Sequence, residues 1–390
     1  MVKSMGWIEA ADGTPLWFKI MGENKGIPPL VLCDGIGCAG YVWKYIIRDF
    51  ADKTAILHWN YRGHGQSGMP MDKTNVSMDA IIDDMHRVMK ETLDEPAILL
   101  GHSMGVQVVL EFWKQHPEMT AGLVPMCGSY QHPLDTFKNK PYFGMILPYL
   151  KAAYNSPLGP QIDVIWRSVV NTELGFFVAK KAEINGDLIK KEDFMPYLEV
   201  LGQMDPGLFL NMLEQAQAHS AESYLGRINV PTLIISGERD GFTPMWLSQK
   251  MASSIQGAEF LYVPAGSHTA PIEAPELVNL RIEKWLDKHF QAKAANAAET
   301  VSKPKVKLEA NADKNKEETV SIPEKIVEAK PAKKSAPKYK AEKNPIKTEA
   351  AKPKKESAPV NKTKAKEEKK PASKKQEPAK PAKKAASKKK

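Results

Sequence analysis

Three side chains, far apart in a chain of 390 residues, have the types that nucleophilic acyl transfer needs. Ser103 sits in Gly101-His102-Ser103-Met104-Gly105. Small residues two positions either side of an alcohol suit a sharp strand-to-helix turn, which pushes the hydroxyl out beyond a sheet edge. Asp240 lies in Gly237-Glu238-Arg239-Asp240-Gly241, and His268 follows Gly266-Ser267. A serine hydroxyl is a weak nucleophile at neutral pH, so His268 would take its proton while Asp240 holds the imidazole tautomer and stabilises its cation. Glu238 is the reserve carboxylate, and His64 and His102 read as buried structural rings.

Such residues need a sheet to present them. Short apolar runs at Leu30–Cys33, Ala55–Trp59, Ala97–Leu100, Leu123–Cys127, Thr232–Ser236 and Phe260–Val263 read as buried strands of a parallel sheet covered on both faces. Trp7 to Gly22 reads as a hairpin around Asp12-Gly13. Met78, Ile81, Ile82, Met85, Val88 and Met89 recur at helical spacing. Asp83 and Asp84 are neighbours off that stripe and are expected in solvent. Further helices are expected over Val106–Trp113, Met245–Ile255 and Leu277–Phe290, so the fold class is α/β with a mostly parallel sheet flanked by helices. Ser103, Asp240 and His268 all fall at C-terminal ends of strands, where open α/β sheets place their sites.

Composition divides the chain. Residues 291–390 carry 30 Lys, no Arg and 13 acidic residues, with neither Trp nor Phe. Such a segment has too little apolar surface to offset its ordering entropy, and it is expected to be a disordered basic tail. Mobile lysines suit the backbone of a nucleic acid or another polyanion without base reading. Residues 1–130 and 223–290 are expected to form the body, and 131–222, with helical but irregular apolar spacing, a helical cap. The cap's apolar side chains, Met145, Trp166, Phe176, Phe177 and Phe209 among them, are candidates to line a pocket, with Trp166, Phe176 and Phe209 taken as substrate-binding.

Cys33, Cys38 and Cys127 form no even-numbered disulfide framework and no metal-ligand spacing, so no metal or cofactor is expected and a reducing, cytoplasmic setting is the simpler reading. No apolar run is long enough for a membrane span. Gly35-Ile36-Gly37-Cys38-Ala39-Gly40 fits G-x-G-x-x-G, but a dinucleotide site also wants an acidic residue about 20 positions on, where this chain has Asn60.

Taken together, residues 1–290 resemble the α/β-hydrolase superfamily of serine hydrolases, with chain order Ser103, Asp240, His268. Besides the Ser103 turn, Asn60-Tyr61-Arg62-Gly63-His64-Gly65-Gln66-Ser67 resembles that family's D-x-R-G-x-G-x-S loop. Asp240 with Thr243-Pro244 resembles its acid turn, and His268 with Glu273, Pro275 and Glu276 its terminal block. The resemblance implies a serine esterase or related acyl hydrolase acting on a small or medium apolar substrate. It also implies an oxyanion hole made by the backbone N–H groups of Ile36 and Met104. Two positions depart from the pattern. Asp34-Gly35 replaces His-Gly, which would set a carboxylate near a developing oxyanion unless Asp34 is turned away or paired with Arg62, and Asn60 replaces Asp. A serine excludes mechanisms that start from an aspartate nucleophile. The alternative from another class is a catalytically silent fold of this kind, serving as a binding module localised by its tail.

Overall fold

The apolar runs become one eight-stranded sheet in a computed structural model that describes residues 2–182 and 184–291. In chain order the strands are β1 (Val2–Glu9), β2 (Pro15–Met21), β3 (Leu30–Cys33), β4 (Ile56–Trp59), β5 (Ala97–His102), β6 (Thr120–Met126), β7 (Leu233–Gly237) and β8 (Glu259–Val263). Their spatial order is β1-β2-β4-β3-β5-β6-β7-β8. β1 and β2 form the hairpin, β2 runs antiparallel to β4, and the remaining neighbours pair in parallel.

The helices are α1 (Lys44–Phe50), α2 (Met78–Thr92), α3 (Met104–Gln115), α4 (Pro133–Thr136), α5 (Phe143–Tyr154), α6 (Gly159–Val169), α7 (Glu173–Ala182), α8 (Lys191–Gln203), α9 (Pro206–Ala218), α10 (Met245–Ser254), α11 (Ala270–Glu273) and α12 (Pro275–Leu286). Strand side chains alternate faces, so Val31, Leu57 and Leu99 join one buried cluster with α2, α3 and α10, while Leu30, Leu32, Ile98 and Leu100 join another with α1 and α12. The sheet is thereby covered on both sides. β8 departs from the expectation of a buried strand: it is the sheet edge, and Glu259 to Tyr262 stay partly exposed.

α2 buries the expected stripe and is capped by Ser77, whose side chain accepts the Ala80 N–H. Asp83 is half-exposed and pairs with Arg87, but Asp84 corrects the sequence reading. It is wholly buried and accepts a two-pronged hydrogen bond from Arg62, at 2.7 Å to each oxygen. A buried guanidinium needs a carboxylate partner, and that demand overrides the exposure that a helix position alone implies.

Between β6 and β7 the chain runs through α4 to α9 with no strand, only an isolated antiparallel bridge between Gln131 and Ser220 where the segment leaves and rejoins the body. Among the described residues no helix is long and apolar enough to cross a membrane. The basic tail of residues 291–390 lies, apart from Gln291, outside the described residues.

Candidate active site

Ser103 occupies the turn from β5 into α3 with φ 57° and ψ −119°, a backbone conformation that residues bearing a Cβ avoid. The turn closes because Gly105 has no side chain: a Cβ there would lie 2.1 Å from the Cys33 carbonyl oxygen. The hydroxyl of Ser103 stands 3.0 Å from His268 Nε2. On the other side of the ring, Nδ1 lies 3.0 Å and 3.2 Å from the two Asp240 oxygens. The three sequence candidates thus form one hydrogen-bonded line.

Asp240 is buried in the turn after β7, where it accepts the N–H groups of Phe242 and Thr243, each at 2.9 Å, and the Thr243 hydroxyl at 2.8 Å. Burial alone would push its carboxyl up; the His268 ring and these donors outweigh burial and hold it below the ordinary carboxylate value. Glu238, the reserve acid, accepts the Ala265 N–H at 2.7 Å.

A second carboxylate, Glu273, sets the loop that carries His268. It accepts the Ser267 N–H at 2.6 Å, the Thr269 hydroxyl at 2.8 Å and the Ser267 hydroxyl. Asn185, from the segment between α7 and α8, donates its N–H to Ser267 Oγ and to Glu273, and its side-chain amide to the Ala265 carbonyl at 2.8 Å. The sequence flagged Glu273 only by resemblance and gave no signal for Asn185, because the two residues are 88 positions apart.

The loop after β3 comes close to the nucleophile. A Cβ at Gly35 would stand 2.9 Å from that of Ser103, so the approach requires glycine. Asp34 is buried and turned away from the site, accepting from Trp43 Nε1 at 2.7 Å and the Gly40 N–H at 3.2 Å, with His58 Nε2 at 2.8 Å. Arg62 is not its partner; it is committed to Asp84 and to Asp12 at 2.9 Å. His64 steadies the same loop: its Nε2 accepts the Gly37 N–H at 3.0 Å and its Nδ1 donates to the Arg62 carbonyl at 3.1 Å. Burial pushes the His64 pKa down, in keeping with the neutral ring that this bonding requires.

Ser103, Met104, Ile36 and His268 share the wall of a cavity of about 270 Å³. The rest of its lining is mostly apolar, from Leu134, Phe137, Tyr197, Phe209, Leu213 and Phe242. Of the three cap side chains taken as substrate-binding, Phe209 lines this cavity, whereas Trp166 and Phe176 do not. Trp166 sits behind Phe209, ring centroids 5.5 Å apart, with its indole N–H on the Leu201 carbonyl. Phe176 packs beside Phe194 in the cluster on the other sheet face. Leu134, Phe137 and Leu213 carried no distinguishing signal, since an apolar side chain reads alike whether it faces a cavity or a core. Among the described residues no group of three or more His, Cys, Asp and Glu side chains is arranged to hold a metal ion.

Residues 28–275 match the family described as alpha/beta hydrolase fold. The chain belongs to that family. Among curated relatives of this alpha/beta hydrolase, Epoxide hydrolase 1 of Caenorhabditis elegans is 24% identical over 262 residues, covering 64% of this chain and 62% of that protein. Epoxide hydrolase 4 of Homo sapiens is 21% identical over 299 residues, covering 74% and 80%. The chain therefore spans little more than three fifths of the C. elegans relative. Among solved structures, an esterase from Exiguobacterium antarcticum superposes with a TM-score of 0.58 at 17% identity, over 73% of this chain and 100% of that one. At that identity the likeness is one of fold.

Proposed function

We propose that the protein is a serine hydrolase that cleaves a carboxylic ester, or a related acyl bond, of a small or medium apolar substrate. The observation that carries this reading is the unbroken line Ser103 Oγ, His268 Nε2, His268 Nδ1, Asp240, opening on an apolar cavity. His268 takes the hydroxyl proton as Ser103 Oγ attacks the carbonyl carbon, and Asp240 stabilises the imidazolium. The N–H groups of Ile36 and Met104 are assigned to the oxyanion. Met104 opens α3, where an N–H has no carbonyl within its own helix, and each such donor contributes roughly 3 kcal/mol to the barrier reduction. His268 then gives its proton to the leaving alcohol. Water, deprotonated by the same ring, attacks the acyl-serine and releases the acid, restoring the Ser103 hydroxyl.

The cavity lies near the low end of the roughly 300–1,000 Å³ common for ligand sites, which favours a short acyl group. Phe209, Leu213 and Leu134 would contact it. The epoxide hydrolases among the relatives raise a second reaction class, but ring opening that begins with a carboxylate nucleophile needs a carboxylate at the turn, and this chain has Ser103. A fluorophosphonate probe tests the proposal: it should label Ser103 covalently, with labelling lost in Ser103→Ala and strongly slowed in His268→Ala. Hydrolysis of p-nitrophenyl esters should favour short chains. Absence of both labelling and turnover in folded protein would overturn the reading in favour of a silent binding module.

A further inference from the structure

Along α5 and its N-cap Tyr142, the residues Tyr142, Met145, Ile146, Tyr149 and Leu150 recur at i, i+3, i+4, i+7 and i+8, the stripe that normally faces a core. Here it faces solvent: Met145 is 71% and Tyr149 76% exposed. α5 already packs its other side on α9, with Leu147 buried. The next two helices also expose apolar side chains, Val164 and Ile165 on α6 and Leu174, Phe177 and Val178 on α7. Scattered apolar side chains on a surface are ordinary, but a five-residue stripe turned to water, with further exposed apolar side chains on the helix packed beside it, marks an interaction surface.

Charge identifies what covers it. Residues 137–181 contain six basic side chains, Lys138, Lys140, Lys151, Arg167, Lys180 and Lys181, against two acidic ones, Asp163 and Glu173, with Lys151 paired to Glu214 and Arg167 to Asp163. The first 290 residues as a whole carry more acid than base, 33 against 25, so this segment is cationic within an anionic body. We propose that the apolar stripe of α5, with the exposed Val164 and Ile165 of the adjoining α6, docks on an anionic lipid surface, with Lys138 and Lys140 at the headgroups. A second copy of the chain would bring like charges together on a shared two-fold face. A nucleic acid would leave Met145, Ile146 and Val164 with nothing apolar to cover them. Stable attachment of an interfacial enzyme takes two signals, and the 30 Lys of residues 291–390 supply the second.

The surface adjoins the cavity. Phe137 in the cavity wall packs on Phe143 with ring centroids 4.5 Å apart, and Phe143 lies 5.9 Å from Tyr142, the first residue of the exposed stripe. An acyl chain leaving a lipid phase would therefore pass from one apolar wall to the next. Docking does not depend on the hydrolase reading, because it is measured without turnover.

The test is flotation of the full chain with vesicles of phosphatidylcholine alone and of phosphatidylcholine mixed with phosphatidylserine. Binding is expected to be at least roughly tenfold tighter on the anionic vesicles. The double substitution Met145→Glu, Tyr149→Glu should weaken it by about tenfold while leaving the circular dichroism spectrum and fluorophosphonate labelling unchanged. If that variant fails to fold, Val164→Ser, Ile165→Ser on α6 gives the same reading. The proposal is overturned by no binding to anionic vesicles or by folded variants that bind as wild type. It is equally overturned by a dimer that the substitutions split without vesicle binding, or by tight binding of duplex DNA in place of vesicles.

Discussion

His102 Nε2 lies 2.8 Å from the backbone carbonyl oxygen of His268, so the residue before Ser103 fastens the loop that bears His268. A carbonyl only accepts, which places the His102 proton on Nε2 and leaves Nδ1 bare and buried. Burial, with the nearby His268 ring adding to it, pushes the His102 pKa down to about 4.

Linkage then gives His102 a sign and a window. Its folded pKa lies below an unfolded value of about 6.5, so between these limits the unfolded chain binds more protons. Its contribution to stability is complete above the unfolded value and falls away as the pH drops towards 4, by about 3 kcal/mol in all. His102→Gln keeps a donor in reach of the carbonyl and removes the titration. Urea unfolding at several pH values should show a shallower acid loss for this variant; parallel curves would contradict the assignment.

Strain at Ser103 makes a separate prediction. A Cβ-bearing residue at φ 57°, ψ −119° costs roughly 1–3 kcal/mol, more than the 0.5–1 kcal/mol of chain entropy that glycine typically adds. Ser103→Gly should therefore raise stability by about 1 kcal/mol while abolishing probe labelling, whereas Ser103→Ala abolishes labelling without that gain. Equal denaturation midpoints for the two variants would count against stored strain at this turn.

The Arg62 and Asp84 pair is tested by breaking it in two ways. Burial pushes the Asp84 carboxyl up to about 6 against the pull of Arg62, so removing the guanidinium strands a group that prefers to be neutral. Arg62→Ala should cost about 3–5 kcal/mol, and Arg62→Met combined with Asp84→Leu should recover most of it. A double variant as unstable as the single one would shift the weight to the Asp12 and Asn75 contacts of Arg62.

Phe209 lines the cavity, and under the proposed acyl hydrolysis it limits acyl length. Phe209→Ala should move the p-nitrophenyl ester preference towards longer chains, improving kcat/KM for the longer relative to the shorter ester by about tenfold. An unchanged chain-length profile would remove Phe209 from the specificity wall. Trp166→Ala removes the ring behind Phe209 and should act in the same direction but more weakly.

Much of this architecture is written locally. Leu30–Cys33 and Ala97–Leu100 are short, uniformly apolar and β-prone, and they form strands where such runs should. Ser103, Asp240 and His268, which the structure brings together, could be picked out because each lies in a short motif next to a strand. What stayed hidden depends on distant partners. Asp84 reads as a helix-surface acid until Arg62, 22 residues away, folds against it. Asp34 gives no hint that Trp43 and His58 will claim its carboxylate. Trp166 and Phe209 have the same composition signal, and only the packing of α6 against α8 sends one to the cavity and the other behind it.

The bonds from Asn185 to Ser267, Glu273 and Ala265 stitch the segment between α7 and α8 to the loop that carries His268. Lifting that segment off the body would break all three and loosen the imidazole in the same movement. On the proposed mechanism, substrate entering by such a route would find His268 unfixed, and the ring would be set again only once that segment had settled back.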